Sequence, residues 1–298
     1  MRLLITGGAG FIGAWLGKAL LDAGVDVRVF DRSDDRRVAR QVLGNQVDAI
    51  EWVTGDISDA SDLNAAARDC DQIAHLAALL TPACAADPMS GLRVNLGGTL
   101  NVFEAARTHG MRQVLYMSSA SVYGPDNGVD PFPITLYGVW KLAMEGAARC
   151  YFEDHGLNSA GYRPLVVYGP GRDVGISAGP SIAIEAAVRG EPYTIGFSGA
   201  TDLVYVEDVV AAYVEAAVGG IDGARTYTIT GERADMATWC NEIRRHCPQA
   251  ALEFAGEPLP VSADIDASSL RDDFPGVPKT SIAQGIEKTV AWHRKSLG

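Results

Sequence analysis

The sequence opens with a short apolar segment, Leu3 to Thr6, that runs directly into a turn with three regularly spaced glycines. Helical periodicity follows from Phe11 to Ala23, and a second apolar segment, Val25 to Phe30, stops at Asp31. This order predicts a strand, a tight turn, a helix and a second, parallel strand. Glycine suits such a turn because it accepts backbone angles and close approaches that other residues resist. The start of the chain therefore predicts one βαβ unit.

Further apolar segments continue this alternation of strands and helices. Strands are predicted at Val47–Val53, Gln72–Leu76 and Gln113–Ser118. Helices are predicted at Asn95–Thr108 and Tyr137–His155, and a glycine closes each of them. The alternation predicts an α/β fold with a doubly wound parallel sheet.

The regular alternation fades beyond Gly169, where glycine and proline become denser and the helical segments become shorter. We therefore expect a main domain at residues 1–168 and mainly a smaller lobe at residues 169–298. A strand and helix at Asp202–Ala217 are expected to return to the main sheet, so residues 201–220 are assigned to the first domain. Ser281–His293 is predicted to form a final amphipathic helix.

The charge balance limits the kinds of partner. The 298 residues include 37 acidic and 25 basic side chains, which gives a net charge of −12. Such a chain repels nucleic-acid phosphates and anionic lipids, so neither nucleic acid nor a membrane is an expected partner. Five cysteines without a CxxC pair indicate reduced thiols and a cytoplasmic protein. The five histidines have no ligand spacing, and no metal is expected.

The glycine turn can hold the pyrophosphate of a dinucleotide, because free amides at a helix N-terminus attract anions. Asp31 ends the second strand, where its carboxylate can accept both hydroxyls of an adenosine ribose, and this favours NAD. The carboxylate repels a 2′-phosphate, although Arg32 partly compensates, so NADP is the alternative. Residues after the third strand can contact the adenine. The predicted contacts from this half of the sheet are Gly7, Gly10, Phe11, Ile12, Gly13, Asp31, Arg32, Asp56 and Ile57.

Tyr137 and Lys141 share one face of a predicted helix, because four residues advance an α-helix by about one turn. An ammonium group stabilises a phenolate, so Lys141 is expected to lower the pKa of Tyr137 from its ordinary value of about 10. Ser119, at the end of a predicted strand, can donate a hydrogen bond to a substrate oxygen. These three residues form the predicted catalytic group for a proton that accompanies a hydride. The plain alternative is an exposed helix pair, which the glycine turn disfavours.

Further motifs follow in order along nearly the whole chain. They are His75-Leu76-Ala77-Ala78, Val94 to Thr99, Ser118 to Gly124, Arg163-Pro164, Tyr168 to Arg172 and Asp202 to Val209. Together with the glycine turn and the Tyr137/Lys141 pair, they resemble the extended short-chain dehydrogenase/reductases, the NAD-dependent epimerase/dehydratase family. A set of ordered motifs is far more specific than any one of them.

The resemblance implies a Rossmann-type doubly wound parallel sheet with a smaller C-terminal substrate-binding lobe. Residues 1–168 would form the dinucleotide-binding Rossmann domain, and residues 169–298 would form mainly the substrate-binding lobe. The resemblance also implies a role for each residue that matches a family motif. Ser119 corresponds to the catalytic Ser/Thr, Tyr137 to the acid/base, and Lys141 to the residue that anchors the nicotinamide ribose. The other residues that it implies lie near the cofactor are Leu76, Ala77, Ala78, Asn95, Pro164 and Leu165.

An apolar stripe on the second predicted helix has two interpretations. Trp140, Met144, Ala147 and Tyr151 recur at helical spacing, which first indicates packing in the core. The resemblance implies instead a homodimer built on a four-helix bundle through the same stripe.

The sequence departs from the family pattern where the substrate is expected. Val166 stands where nucleotide-sugar enzymes resembling this chain carry Asn, and Thr201 where they carry Arg. The loss of both contacts disfavours a substrate with a diphosphate. Ala120 and Ser121 follow Ser119 at positions where dehydratases resembling this chain carry acidic residues, and this disfavours dehydration. A small sugar, polyol or sugar acid is the expected substrate. The predicted substrate contacts are Thr81, Ser119, Ser121 and Arg172, whereas Arg163 is expected to be structural, tied to backbone.

Three functions remain open at this point. The first is NAD-dependent hydride transfer at a secondary alcohol or ketone of a carbohydrate-like substrate, with net oxidation. The second is a sugar or nucleotide-sugar epimerase, similar to UDP-glucose 4-epimerase, that keeps NAD bound and returns the hydride. The third is a nucleotide-sensing binding protein without catalysis, which the catalytic group disfavours.

Overall fold

The structure is a computed structural model that describes residues 1–125, 128–263, 265 and 268–297. The strands are β1 (Arg2–Thr6), β2 (Asp26–Asp31), β3 (Glu51–Thr54), β4 (Gln72–His75), β5 (Gln113–Met117), β6 (Asn158–Pro164), β7 (Val166–Tyr168), β8 (Tyr193–Ile195), β9 (Ala200–Tyr205), β10 (Ala224–Ile229), β11 (Glu232–Asp235) and β12 (Leu252–Phe254). The helices are α1 (Phe11–Asp22), α2 (Arg37–Leu43), α3 (Ala60–Ala66), α4 (Thr81–Ala86), α5 (Pro88–Gly91), α6 (Gly98–Thr108), α7 (Leu136–His155), α8 (Gly179–Arg189), α9 (Val206–Gly219), α10 (Met236–His246), α11 (Ser268–Asp273) and α12 (Ile282–Leu297). Gly44–Ala49 and Ala120–Val122 form 3₁₀ helices, and Leu92–Gly97 forms a π-helical segment.

Seven strands form the main sheet in the order β3-β2-β1-β4-β5-β6-β10. Every neighbouring pair in this sheet is parallel. The chain winds outward from β1 to β3, crosses back, and winds outward again from β4. The predicted doubly wound parallel sheet is therefore confirmed. The direction reverses between β1 and β4, and ligands bind at such a point because the loops after the two strands diverge.

Helices cover both faces of the sheet, which is why its strands are apolar along their whole length. Leu3 and Ile5 of β1 belong to a core cluster with α1 and α9, whereas Leu4 packs on the opposite face with α3, α6 and α7. Alternate residues of a strand point to opposite faces, so both faces must be buried at once. The cluster on the first face continues into the C-terminal half of the chain, where it includes Trp239 and Ile286.

Two sequence predictions about strands are wrong. The strand predicted at Val47–Val53 begins only at Glu51, because Gly44–Ala49 form a 3₁₀ helix that buries Val47 without extending the chain. The strand predicted to join the main sheet near Asp202 is β9, and it pairs with β7 and β11 in a separate three-stranded sheet. β10 pairs with β6 instead. Apolar character predicts that a strand is buried, but it does not identify its neighbours.

The predicted helices agree with the structure more closely than the predicted strands do. The helix predicted from Asn95 is preceded by the π-helical segment, so Asn95 lies before α6 begins. α7 ends at His155, and Gly156, whose φ of 66° favours glycine, follows as its C-terminal cap. The final helix, α12, begins one residue later than predicted and ends four residues later. The division of the chain at residue 169 stays a prediction.

None of the helices in the described part of the chain is both long and apolar enough to span a membrane. The five cysteines are free.

Candidate active site

A cavity of about 300 Å³ opens at the edge of the main sheet where β1, β4, β5 and β6 end. It is lined from the first half of the chain by Gly7, Gly10, Phe11, Ile12, Gly13, Leu76, Ala78, Leu80, Thr81 and Pro82. From the middle of the chain it is lined by Met117, Ser118, Ser119, Ala120, Ser121, Thr135, Tyr137, Lys141, Pro164, Leu165, Val166 and Val167. Beyond residue 170 the lining residues are Arg172, Val174, Gly175, Ile176, Ser177, Thr201, Leu259, Pro260 and Val261. The predicted glycine turn and catalytic group thus lie around one cavity.

The glycine turn is packed so closely that side chains would not fit. Gly7 has a φ of +74°, and a Cβ there would lie 2.6 Å from the Ala77 backbone nitrogen. A Cβ on Gly13 would lie 2.6 Å from the Gly7 carbonyl oxygen, so the helix starts against the turn. Gly10 caps α1 with extended backbone and lines the cavity. Backbone and a helix N-terminus therefore face the cavity at this end, which suits a pyrophosphate.

Asp31 lies beside this turn, at the end of β2. Its carboxylate accepts hydrogen bonds from the amides of Ala9 at 3.0 Å and Ser33 at 3.1 Å. These contacts hold the carboxylate next to the turn, where it can accept ribose hydroxyls. Arg32, the residue after Asp31, is exposed. The arrangement fits a dinucleotide whose ribose lies between β1 and β2.

The two residues predicted to contact adenine differ in exposure. Asp56 accepts hydrogen bonds from the amide of Ser58 at 2.8 Å and from its hydroxyl at 2.7 Å, and these bonds lower the pKa of the carboxyl. Ile57 is buried against Gly98, at the start of α6. Neither residue lines the cavity. Asp56 follows β3, and β3 pairs with β2 next to Asp31.

Tyr137, Lys141 and Ser119 converge on the cavity. Thr135 caps α7 by accepting a hydrogen bond from the Gly138 amide at 3.1 Å, and this fixes the helix that carries the first two. The Ser119 hydroxyl lowers the pKa of Tyr137, and both residues line the cavity. The Lys141 ammonium lies 5.6 Å from the centre of the Tyr137 ring and donates to the Met117 carbonyl at 2.6 Å. The predicted helical face is thus formed, and β5 supplies its partners.

The protonation of this pair differs from the sequence prediction. Burial raises the pKa of Tyr137 to about 12, and the Ser119 hydroxyl offsets this rise only in part. Burial likewise lowers the pKa of Lys141 to about 8, and only 2% of this residue is exposed. The prediction that Lys141 lowers the pKa of Tyr137 below its ordinary value is therefore wrong for the protein alone. Desolvation disfavours both charged forms, and it outweighs the attraction between them.

A buried ion pair joins α7 to β6. Glu145, one turn beyond Lys141, receives bonds from two nitrogens of Arg163, with Nε at 2.7 Å. It also accepts from the Ser118 hydroxyl at 2.5 Å. Arg163 donates in addition to the Tyr123 hydroxyl at 2.6 Å. The structural role predicted for Arg163 holds, but its partners are side chains rather than backbone.

Asn95 is hydrogen-bonded to the loop that follows β4. Its side chain is fully buried, accepts from the Leu79 amide at 2.7 Å and donates to the Leu79 carbonyl at 2.9 Å. The family resemblance implies that Asn95 lies close to the cofactor, but the residue is outside the cavity lining and holds the loop after β4. The ring of His75 is also buried, and it is hydrogen-bonded to the hydroxyls of Thr6 at 2.8 Å and Thr99 at 3.1 Å. Burial lowers its pKa to about 3, so this histidine is neutral.

The remaining predicted contacts fall into two groups. Ala77 packs beneath Gly7 and is outside the cavity lining. Leu76, Ala78, Thr81, Ser121, Pro164, Leu165 and Arg172 line the cavity. Three cavity residues that sequence reasoning missed, Leu259, Pro260 and Val261, come from an irregular segment that carries no motif. Thr135 was also missed, although a threonine just before a helix is a capping signal.

The described residues contain no cluster of histidine, cysteine, aspartate and glutamate that could hold a metal ion.

Comparison with known proteins gives consistent matches. A sequence profile of the NAD dependent epimerase/dehydratase family matches residues 3–229. The UDP-glucose 4-epimerase of Mycolicibacterium smegmatis is 33% identical, with 99% of each chain covered. A dTDP-glucose 4,6-dehydratase of the same organism is 30% identical, over 99% of this chain and 93% of the relative. Among solved structures, the UDP-glucose 4-epimerase of Thermus thermophilus in complex with NAD superposes with a TM-score of 0.85, at 27% identity and 99% coverage of both chains.

Proposed function

Because this chain belongs to the NAD dependent epimerase/dehydratase family, we propose that it is an NAD-dependent epimerase that inverts a secondary alcohol carbon of a carbohydrate substrate. The observation that carries the proposal is the convergence of Ser119, Tyr137 and Lys141 on the cavity that the glycine turn also lines. From the sequence alone, net oxidation comes first. We now put epimerisation first, because the similar relatives include UDP-glucose 4-epimerases.

The residues at the cavity edge fit NAD. The glycine turn and the start of α1 would hold the pyrophosphate, and the Asp31 carboxylate would accept the ribose hydroxyls. NAD, when bound, supplies a hydride acceptor and donor and, while oxidised, a positively charged ring. Lys141 would bond the ribose near that ring with the N–H groups that the Met117 carbonyl leaves free.

Proton transfer is the part of the reaction that this chain performs. Ser119 would donate a hydrogen bond to the reacting substrate oxygen and hold it near the Tyr137 hydroxyl. With a pKa of about 12, Tyr137 is protonated at neutral pH and ready to donate its proton to a ketone oxygen. To accept a proton from an alcohol, the phenolate needs nearby positive charge, which Lys141 supplies in part.

The loop at residues 170–173 packs against α1 and α2 beside the glycine turn. This packing favours an enzyme that retains its cofactor. The Trp15 indole of α1 donates to the Pro170 carbonyl at 2.9 Å. A Cβ on Gly171 would lie 3.2 Å from Val38 of α2. Arg37 and Asp173 form an ion pair at 2.7 Å. An epimerase must keep the same NAD through oxidation and reduction, whereas a dehydrogenase must exchange it.

The proposal is tested with substrates deuterated at the carbinol carbon, drawn from a panel of sugars, sugar acids and UDP-sugars. We expect about one NAD per chain to be released on denaturation of the purified protein. The epimer should form with the deuterium retained and without NADH in solution, as measured by NMR and absorbance. Transfer of deuterium to added NAD would identify a dehydrogenase instead. Ligand binding without any turnover would identify a sensor.

We also propose that the chain forms a homodimer through the outer face of α6 and α7. The predicted stripe is used within the chain: Met144 is buried, and Tyr151 stacks on Phe103 with ring centres 5.0 Å apart. Elsewhere on the two helices, Leu100 is 40% exposed and Val139 38% exposed. Exposed apolar side chains on two packed helices suit a second copy of the same face.

Replacing Leu100 by glutamate is expected to convert the dimer into a monomer, because the charge would be buried at the interface without a partner. Light scattering after size-exclusion chromatography should give about twice the 31.5 kDa chain mass for the unaltered protein and the single mass for the variant. Val218→Glu is the control, since Val218 is 58% exposed on α9, away from this face. A monomeric unaltered protein would contradict the proposal.

A further inference from the structure

We propose that the substrate of this site is a small polyhydroxy acid whose carboxylate pairs with Arg172, and that the site does not take a nucleoside diphosphate sugar. The proposal rests on the proposed function, because it assumes that the reacting alcohol lies at Tyr137. It depends on the charges and the apolar residues that line the cavity.

Arg172 is a cation in the cavity wall without an acidic partner. Its guanidinium donates to the Val167 carbonyl and, at 2.8 Å, to the Ser177 hydroxyl. A guanidinium has five N–H groups, and its others have no bonded partner among the residues that the structure describes. Burial lowers the pKa of Arg172 to about 10, so this environment disfavours a cation that nothing balances. A bound anion would remove that penalty.

Arg172 lies in the cavity where it can orient the substrate toward Tyr137. Arg172 and Tyr137 line the same cavity, and the charge of Arg172 lowers the pKa of Tyr137 against the effect of burial. The two bonds to Val167 and Ser177 hold the guanidinium in one orientation before a ligand arrives. A carboxylate that pairs with it would bring a neighbouring hydroxyl-bearing carbon to Tyr137 and Ser119.

The rest of the cavity offers too little positive charge for a diphosphate. Lys141 is the one other cation in the described lining, and it already bonds to Met117 beneath Tyr137. The described lining contains no aspartate or glutamate, although the chain carries a net charge of −12. One available guanidinium matches one carboxylate, which it can bind through two parallel hydrogen bonds. Two phosphate charges would remain only partly compensated.

The lining of the cavity also disfavours a phosphate. Val166, Leu259, Pro260 and Val261 form an apolar wall, and apolar groups cannot replace the water around a phosphate. Ser121 and Thr201 also line the cavity, where their hydroxyls can bind sugar hydroxyls.

The test measures binding to the Tyr137→Phe variant saturated with NAD, so that turnover plays no part. Calorimetric titrations would use a panel of tetronates, pentonates, hexonates and hexuronates, each paired with its neutral alcohol, together with UDP-glucose. We expect at least one acid to bind about tenfold or more tightly than both its neutral partner and UDP-glucose. Tighter binding of UDP-glucose than of every acid, or equal binding of all acids and their partners, would overturn the proposal.

A substitution then assigns the preference to Arg172. In the Tyr137→Phe background, Arg172→Met is expected to weaken binding of the preferred acid about 30-fold or more and that of its neutral partner much less. Arg172→Lys keeps the charge and should keep part of the preference, which preserves the test if the methionine variant does not fold. Arg189→Met, on the exposed face of α8, is the matched control. A preference that survives in Arg172→Met would contradict the assignment.

The two proposals can fail separately. A protein that binds acids through Arg172 but accumulates NADH is a dehydrogenase for the inferred substrate class. A protein that epimerises UDP-glucose and ignores the acids retains the proposed function and loses the inference.

Discussion

Replacing Tyr137 by phenylalanine is expected to lower the turnover number about 1000-fold or more, which is within the range that one positioned acid/base contributes. The substitution removes the only phenol among the described residues that line the cavity. NAD affinity should change little, because the ring remains and the Lys141 ammonium keeps its bond to the Met117 carbonyl. Steady-state kinetics, NAD titration and thermal unfolding of the same preparation measure the three effects.

The matched control for this variant is Tyr151→Phe. Tyr151 is on the same helix, but its hydroxyl donates to Glu104 at 2.7 Å on the surface. This control should keep the turnover number within about twofold, because exposed substitutions away from a site change little. Near-normal turnover of Tyr137→Phe would refute the mechanism, whatever the substrate proves to be.

Glu145→Gln is expected to reduce the free energy of unfolding by about 3–5 kcal/mol, because it leaves the Arg163 cation without a counterion. The Glu145 side chain is entirely buried and that of Arg163 is 14% exposed, so water cannot replace the lost charge. The amide has the same shape as the carboxylate, and a loss of this size would therefore report charge rather than packing. Urea unfolding followed by circular dichroism measures the change, with the slope against urea unaltered.

Activity should fall as well, although Glu145 lies outside the cavity lining. Glu145 holds the Ser118 hydroxyl at 2.5 Å, and Ser118 precedes Ser119 in the chain. We expect the turnover number to fall more than the substrate affinity, since the loss of support misplaces the reacting groups.

Glu104→Gln provides the control for charge. Glu104 pairs with Arg107 at 2.8 Å on α6, but both side chains are nearly half exposed. Its replacement should cost less than about 1 kcal/mol, as exposed ion pairs do. Adding Arg163→Met to Glu145→Gln should recover part of the stability, because it removes the uncompensated cation. Equal losses for Glu145→Gln and Glu104→Gln would disprove the structural role of the buried pair.

The parts of the site that sequence alone determined depend on short-range geometry. The glycine turn could be predicted because Gly7 needs a positive φ, and both Gly7 and Gly13 need space for close backbone contacts. Tyr137 and Lys141 could be placed on one face because helical periodicity is local. The parallel order of the main sheet followed from alternating strands and helices, since parallel strands need crossover connections.

Tertiary structure decided everything that depends on burial and on distant partners. The pKa of Tyr137 is raised rather than lowered because β5 and the C-terminal segments enclose it, and no helical pattern reports that enclosure. The pairing of Glu145 with Arg163 joins a helix to a strand, so neither residue indicates its partner in the sequence. β9 left the predicted sheet because strand neighbours are chosen by packing. Arg172 became an uncompensated cation only when the fold enclosed it without a carboxylate, because the energy of a charge depends on its surroundings.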